Sequence, residues 1–185
     1  MSKLDELKKE LLPLIEQYAC IKLDQPIKLA SGKMSQVYFD GRKITLHPKG
    51  ISLFAKAILE LVDVNQLHAV GGPSIGADPI ATAVSIFALL DKKKELPAFL
   101  VRKEMKQHGL QKQIEGLELK PGMKVLIVED VITTGSSVRN TISVVEQTGA
   151  KVQAVVCLLD REEGGREALQ PYPLIPLFKR NEVKL

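Results

Sequence analysis

Residues 125–138, VLIVEDVITTGSSV, place two adjacent carboxylates, Glu129 and Asp130, directly after four apolar residues. Val131 and Ile132 follow, and then five small residues, Thr133, Thr134, Gly135, Ser136 and Ser137. At a strand-to-helix turn such residues suit an anion. The first turn of a helix leaves backbone N–H groups without internal partners, and the helix dipole adds positive potential. Gly135 lets the backbone turn tightly against a ligand, and the four hydroxyls add donors. A monophosphate matches this cup. The same residues also make a well-capped helix with nothing bound. A Walker loop is excluded, because no lysine follows Gly135.

Two carboxylates beside a phosphate cup repel the phosphate unless the ligand offers them something else. A ribose 5-phosphate does. Its vicinal hydroxyls donate charge-assisted hydrogen bonds to carboxylates, and a glycosyl-transfer transition state develops positive charge at the anomeric carbon.

On these residues, VLIVEDVITTGSS resembles the phosphoribosyl-pyrophosphate (PRPP) signature of type I phosphoribosyltransferases. The resemblance implies that Glu129 and Asp130 bind the ribose hydroxyls, with Asp130 also catalytic. It implies that Thr133, Thr134, Gly135, Ser136 and Ser137 hold the 5-phosphate, and that Val131 and Ile132 belong to the same PRPP-binding segment. It leaves the base open.

The base is indicated elsewhere. Residues 101–109, VRKEMKQHG, resemble the mobile catalytic loop of the orotate phosphoribosyltransferase family, matching it at Arg102, Lys103, Glu104, Lys106, His108 and Gly109. The chemistry fits. A leaving pyrophosphate needs cations and donors, and a lid that closes over the site brings them while excluding water. The resemblance implies that Arg102, Lys103, Lys106 and His108 bind PRPP, with Lys103, Lys106 and His108 catalytic. LASGKMSQVYFDGRK resembles the family's N-terminal hood, which implies that Tyr38 and Phe39 meet orotate. GGPSIGADPIA resembles the loop that grips pyrophosphate through backbone amides. LLDREEGG resembles the segment whose arginine, here Arg161, pairs with the orotate carboxylate, and the resemblance implies Thr133 as a further orotate contact. Mg2+ is implied as a cofactor carried mainly on PRPP, with no protein side chain assigned to it. A homodimer whose lids are shared across subunits is also implied. The chain departs from some members at Ala30 and Gly76, where they carry lysine, and at Gln36 and Val37. It also lacks a second glycine after His108-Gly109. A purine-type phosphoribosyltransferase and a non-catalytic PRPP-sensing regulator remain as alternatives.

The positioning elements follow from periodicity. Apolar residues at helical spacing predict helices over 3–19, with Pro13 inside, and over 48–62, 78–91 and 136–148. Continuously apolar runs predict strands at 67–71, 98–101, 124–129, 151–159 and 174–178, and a hairpin is expected around Ser31-Gly32-Lys33. Such alternation implies an α/β fold with a central parallel sheet flanked by helices, the type I phosphoribosyltransferase fold, preceded by a small hood. The expected organisation is one domain over 1–185. It comprises an N-terminal helix and hood over about 1–45, a PRPP-binding core over about 46–185 and a lid over about 103–117. Residues 103–123 show little periodicity, as a lid would.

At 185 residues, 45% hydrophobic and with a formal charge of +4, the chain has the composition of a globular domain. Its mild basicity suits an anionic small molecule. One helix before the hood is too little for a helix-turn-helix, so no nucleic acid partner is expected. Cys20 and Cys157 stand far apart, and His47, His68 and His108 have no metal-site spacing. The charged N-terminus and the absence of a long apolar run predict a cytoplasmic protein with no membrane partner.

Overall fold

The computed structural model describes residues 1–28, 34–104 and 113–184. Helix α1 (Lys3–Leu14) opens on a reciprocal cap: Asp5 N–H donates to Ser2 Oγ at 3.1 Å, and Ser2 N–H donates to Asp5 Oδ2 at 3.0 Å. Pro13, which has no N–H to give the helix, sits in the last turn, and the winding loosens into a π-helical turn over Ile15–Ala19. The predicted helix over 3–19 therefore exists, with a change of pitch near its end.

Strands β1 (Cys20–Lys28) and β2 (Met34–Phe39) pair antiparallel as a separate two-stranded sheet, Cys20 opposite Phe39. They form the expected hairpin. Its turn, with Ala30 and Lys33, lies outside the described residues. A short helix α2 (Arg42–Thr45) leads into α3 (Pro48–Leu61), where His47 Nδ1 accepts a cap bond from Gly50 N–H at 3.2 Å.

The main sheet contains β3 (Ala69–Pro73), β4 (Ala98–Val101), β5 (Ile114–Gly116), β6 (Lys124–Ile132), β7 (Lys151–Asp160) and β8 (Leu174–Lys179), in the order β5-β4-β3-β6-β7-β8. All neighbours are parallel except β4 and β5. The expectation of a parallel sheet thus needs one correction, an antiparallel edge strand inside the stretch read as lid. A three-residue strand puts two residues on one face and one on the other, too few to create a detectable period, so β5 was not legible.

Two further boundaries shift. The first core strand runs over 69–73, not 67–71, and so includes Gly72 as well as Gly71. A Cβ on Gly71 would collide with the Phe99 carbonyl, and one on Gly72 with the Val128 carbonyl. These glycines serve close strand packing rather than a turn. Strand β6 continues past Glu129 to Ile132, so Asp130 as well as Glu129 lies within the strand and not beyond it.

Alternation along β6 builds a core on each face. Leu126 and Val128 join Phe54 and Ile58 of α3 and Ile80 and Val84 of α4 (Ala77–Lys92). Val125 and Ile127 join Val138, Ile142 and Val145 of α5 (Ser136–Gln147). Each large apolar side chain so removed from water contributes roughly 1.5–3 kcal/mol. Because parallel crossovers share one hand, the ends of β3, β4, β6 and β7 open onto one edge. No helix among the described residues is long and apolar enough to cross a membrane.

Candidate active site

That edge carries a cleft of about 560 Å3. Its lining comes from every segment singled out in the sequence except the lid: Tyr38 and Phe39 of the hood, Ser74, Ile75 and Gly76 after β3, Glu129, Asp130 and Val131 of β6, Thr133 and Ser137 of the turn, and Arg161 after β7. A second hollow of about 290 Å3 adjoins it, sharing Pro73, Ser74 and Ser137, and brings in Arg102, Lys103, Gln113, Ser136 and Asn140. The lid's first two cations therefore stand beside the turn.

The acid pair is built into the sheet. Glu129 is 6% exposed, and its Oε1 accepts from Asp130 N–H at 3.1 Å. Asp130 Oδ1 accepts from Val131 N–H at 2.8 Å, while Ser137 Oγ lies 3.5 Å from Glu129 Oε2 as a donor. Burial above all, and then the adjacent Asp130 charge, push the Glu129 carboxyl well above its ordinary value. The pair is pressed from two sides by glycines. A Cβ on Gly76 would meet Glu129 Oε1, and one on Gly41 would lie 2.9 Å from Asp130 Cβ and Oδ2.

The turn has the expected form. Gly135 adopts φ 77, the left-handed conformation that glycine takes without penalty, immediately before α5 begins at Ser136. Behind it Gly165 packs so closely that a Cβ there would strike Ile132 and come within 2.7 Å of the Thr133 carbonyl.

A phosphoribosyl transferase domain model matches residues 43–172. The chain is 44% identical over 179 residues to the orotate phosphoribosyltransferase of Aquifex aeolicus, covering 95% of this chain and 97% of the relative. It is 40% identical over 181 residues to that of Pyrococcus furiosus, covering 96% and 95%. Orotate phosphoribosyltransferase of Mycobacterium tuberculosis superposes with a TM-score of 0.83 in its Fe(III) dicitrate complex, at 32% identity over 97% of this chain and 99% of the other. Its PRPP complex gives 0.79 at 30% identity, with the same coverage. The chain belongs to the orotate phosphoribosyltransferase family.

Within this family member, the structure brings most of the predicted site residues together, although Thr134 and Gly135 line neither hollow. Glu129, Asp130, Val131, Thr133, Ser137, Arg161, Tyr38 and Phe39 line the main cleft together, and Arg102, Lys103 and Ser136 line the adjoining hollow. Lys106, His108 and Gly109 lie outside the described residues. Ile132 stands apart: its side chain is 2% exposed in the core beneath the turn, which leaves only its backbone near the cleft. Phe39 also differs from its neighbour. It is 5% exposed and packs in the core, whereas Tyr38 is half-buried. Successive strand residues point to opposite faces, so the two rings do not share one stacking surface.

The lid's base is an antiparallel neck. Arg102 N–H donates to the Gln113 carbonyl at 2.9 Å, and Gln113 Nε2 donates to the Arg102 carbonyl at 3.0 Å. Residues 114–116 then return as β5, which removes them from the stretch expected to move.

Several cleft residues went unassigned in the sequence. Asp40, Gly41 and Arg42 follow the hood aromatics and line the cleft, with Arg42 Nε 3.0 Å from Asp40 Oδ1. Their signal was present as a charged, glycine-containing DGR directly after an amphipathic strand. Ser74 Oγ donates to Asp78 Oδ2 at 2.9 Å, tying the loop after β3 to the first turn of α4. Among the described residues no group of three or more His, Cys, Asp or Glu side chains is arranged to hold a metal ion.

Proposed function

We propose that the enzyme transfers the phosphoribosyl group of PRPP to orotate, giving orotidine 5-phosphate and pyrophosphate, and that the cleft at the sheet edge is where it does so. One observation carries this reading. A single cavity is lined by a carboxylate pair, a phosphate-type turn, an arginine and a tyrosine, the four kinds of group that a sugar phosphate and a flat acidic base need.

In this reading the 133–137 turn holds the 5-phosphate through backbone N–H groups and hydroxyls. Glu129 and Asp130 accept from the ribose hydroxyls. Arg161 pairs with the orotate carboxylate, Tyr38 faces the ring and Thr133 sits between base and phosphate. The orotate ring nitrogen forms its bond to the anomeric carbon as the bond to pyrophosphate breaks, and the electron pair leaves with the pyrophosphate oxygen. Glu129 and Asp130 stabilise the positive charge that grows on the sugar between those events. Lys103, with Arg102, Lys106 and His108, neutralises the negative charge that grows on the departing group. Positioning and electrostatics supply most of the rate, because no covalent enzyme intermediate is required.

Mg2+ belongs to the substrate in this scheme. A small hard cation keeps several waters and binds through substrate phosphates plus one or two carboxylates, and its contribution is to neutralise pyrophosphate oxygens. Glu129, Asp130 and Asp40 line the cleft and are the carboxylates that would face the cation.

A homodimer completes the site. Tyr18, Leu46 and Ile75 are 41%, 70% and 70% exposed and border, with Asp40 and Arg42, a hollow of about 630 Å3 that shares Asp40, Arg42 and Ile75 with the main cleft. An apolar patch at the mouth of a catalytic cleft suits a second copy whose lid reaches across. Free thiols at Cys20 and Cys157 suit the cytoplasm. Neither nucleic acid nor membrane has a role in this scheme.

The test is direct. The protein is mixed with PRPP, Mg2+ and orotate, and the loss of orotate absorbance is followed, with uracil, adenine, hypoxanthine and guanine as competitors. Orotate consumption with release of pyrophosphate is expected. Preference for a purine favours the purine-type alternative, and PRPP binding without turnover favours the regulator.

A further inference from the structure

One ion pair at the cleft joins Arg161 to Glu163, an acid that has no part in the scheme above. Arg161 Nη2 lies 3.1 Å from Glu163 Oε1, with the two side chains 10% and 11% exposed. The pair is incomplete. Arg161 Nε and Glu163 Oε2 are both buried without a hydrogen-bond partner among the described residues. A guanidinium and a carboxylate can make two parallel bonds; here they meet in one close N–O approach, and a further nitrogen and oxygen of the pair are unsatisfied.

The surrounding loop fixes where Glu163 stands. Arg161 N–H donates to the Ile132 carbonyl at 2.9 Å, which ties the arginine's backbone to the strand that carries the acids. Asp160, 1% exposed, accepts from Glu162 N–H at 2.8 Å, and Arg166 Nη2 lies 3.7 Å from its Oδ2. Glu162 at φ 55 and Gly164 at φ 93 both take left-handed backbone. The chain therefore doubles back within four residues and returns the Glu163 carboxylate to the guanidinium two positions earlier. Arg161 lines the cleft and Glu163 does not, and the free Glu163 oxygen is shielded from solvent. Whatever Glu163 does for a substrate, it does through Arg161.

We propose that Glu163 is a positioning residue for base selection: its carboxylate, 3.1 Å from Nη2, orients the Arg161 guanidinium toward the substrate carboxylate. This rests on the reading of Arg161 as the partner of that carboxylate. An unheld arginine has several rotatable bonds and many rotamers, and ordering them on binding weakens affinity. Glu163 fixes the orientation in advance. What matters in this arrangement is an acceptor oxygen at the right distance more than the charge behind it.

Four variants of the full-length enzyme test this through the KM for orotate and the KM for PRPP, measured separately with Mg2+ present. Glu163→Ala removes the acceptor and raises the orotate KM about ten- to hundred-fold, with the PRPP KM within about three-fold of wild type. Glu163→Gln keeps an acceptor of the same length and recovers most of the orotate KM. Glu163→Asp keeps the charge but is one methylene short, and it behaves like the alanine variant. Arg161→Ala raises the orotate KM at least as much as Glu163→Ala. A glutamine variant as defective as alanine, an aspartate variant equal to wild type, or a parallel rise in both KM values overturns the positioning role. An unchanged orotate KM in Arg161→Ala overturns the reading of Arg161 itself, and the proposal with it. If Glu163→Ala does not fold, the opposite behaviour expected of the glutamine and aspartate variants still decides the question.

Discussion

Gly76 lies against Glu129 so closely that a Cβ on it would fall on Glu129 Oε1 and only 2.9 Å from Asp130 Oδ1. The loop after β3 thus rests directly on the acid pair of β6, and the absence of a side chain is what lets it. Lysine, which some family members carry at this position, is not accommodated here unless the acids move.

Gly76→Ala therefore displaces a carboxylate or lifts the loop, and either change misaligns PRPP. A rise in PRPP KM of about ten-fold or more is expected, with the orotate KM changing less. Steady-state kinetics with each substrate varied in turn measures this, and equal KM values in variant and wild type would show that the loop yields without consequence.

Glu129 carries a second prediction, on stability. Its carboxyl is pushed well above the ordinary value of 4.5, first by burial and then by Asp130. Above that ordinary value the folded chain holds a proton that the unfolded chain has released, so stability falls as pH rises through the window upward of 4.5. Glu129→Gln abolishes this loss. The ligand-free variant should melt higher than wild type near neutral pH, and the two should converge toward about pH 4. Its PRPP binding should fall at the same time. Thermal unfolding across that range, with PRPP titration calorimetry at neutral pH, checks both halves; a variant that melts lower at neutral pH contradicts the assignment.

Lys103 stands beside Ser136 and Ser137 at the neck of the lid. Its proposed work is on charge that appears only as pyrophosphate departs. Lys103→Ala should lower kcat by about a hundred-fold while PRPP KM changes by less than about three-fold. Comparable losses in both would assign Lys103 to ground-state affinity.

Leu46 is 70% exposed on the patch assigned to the second subunit. In a monomer, Leu46→Glu changes stability by no more than about 0.5 kcal/mol. In a dimer it places a charge in an apolar interface. Light scattering should show the variant shifted to monomer, with lowered activity restored in part at high protein concentration. A variant that remains as associated as wild type removes Leu46 from the interface.

Much of this protein was written in local patterns. The run from Val125 to Ile127 and the 3.6-residue spacing of Val138, Ile142 and Val145 predicted β6 and α5, because a buried strand and a one-sided helix have periods that composition alone displays. The acids followed by a small-residue turn predicted the sugar-phosphate chemistry, because spacing along a strand–turn–helix unit is local. The tertiary structure decided what depends on distance across the sheet. Gly72 read as part of a loop and proved to be a strand residue, because the crowding that requires glycine at 71 and 72 comes from Phe99 and Val128 on neighbouring strands. Tyr38 and Phe39 read as equals, and only packing divided them. Glu163 read as one acid in a charged loop; two left-handed residues turn it back onto Arg161, a contact made by backbone conformation that side-chain pattern does not encode.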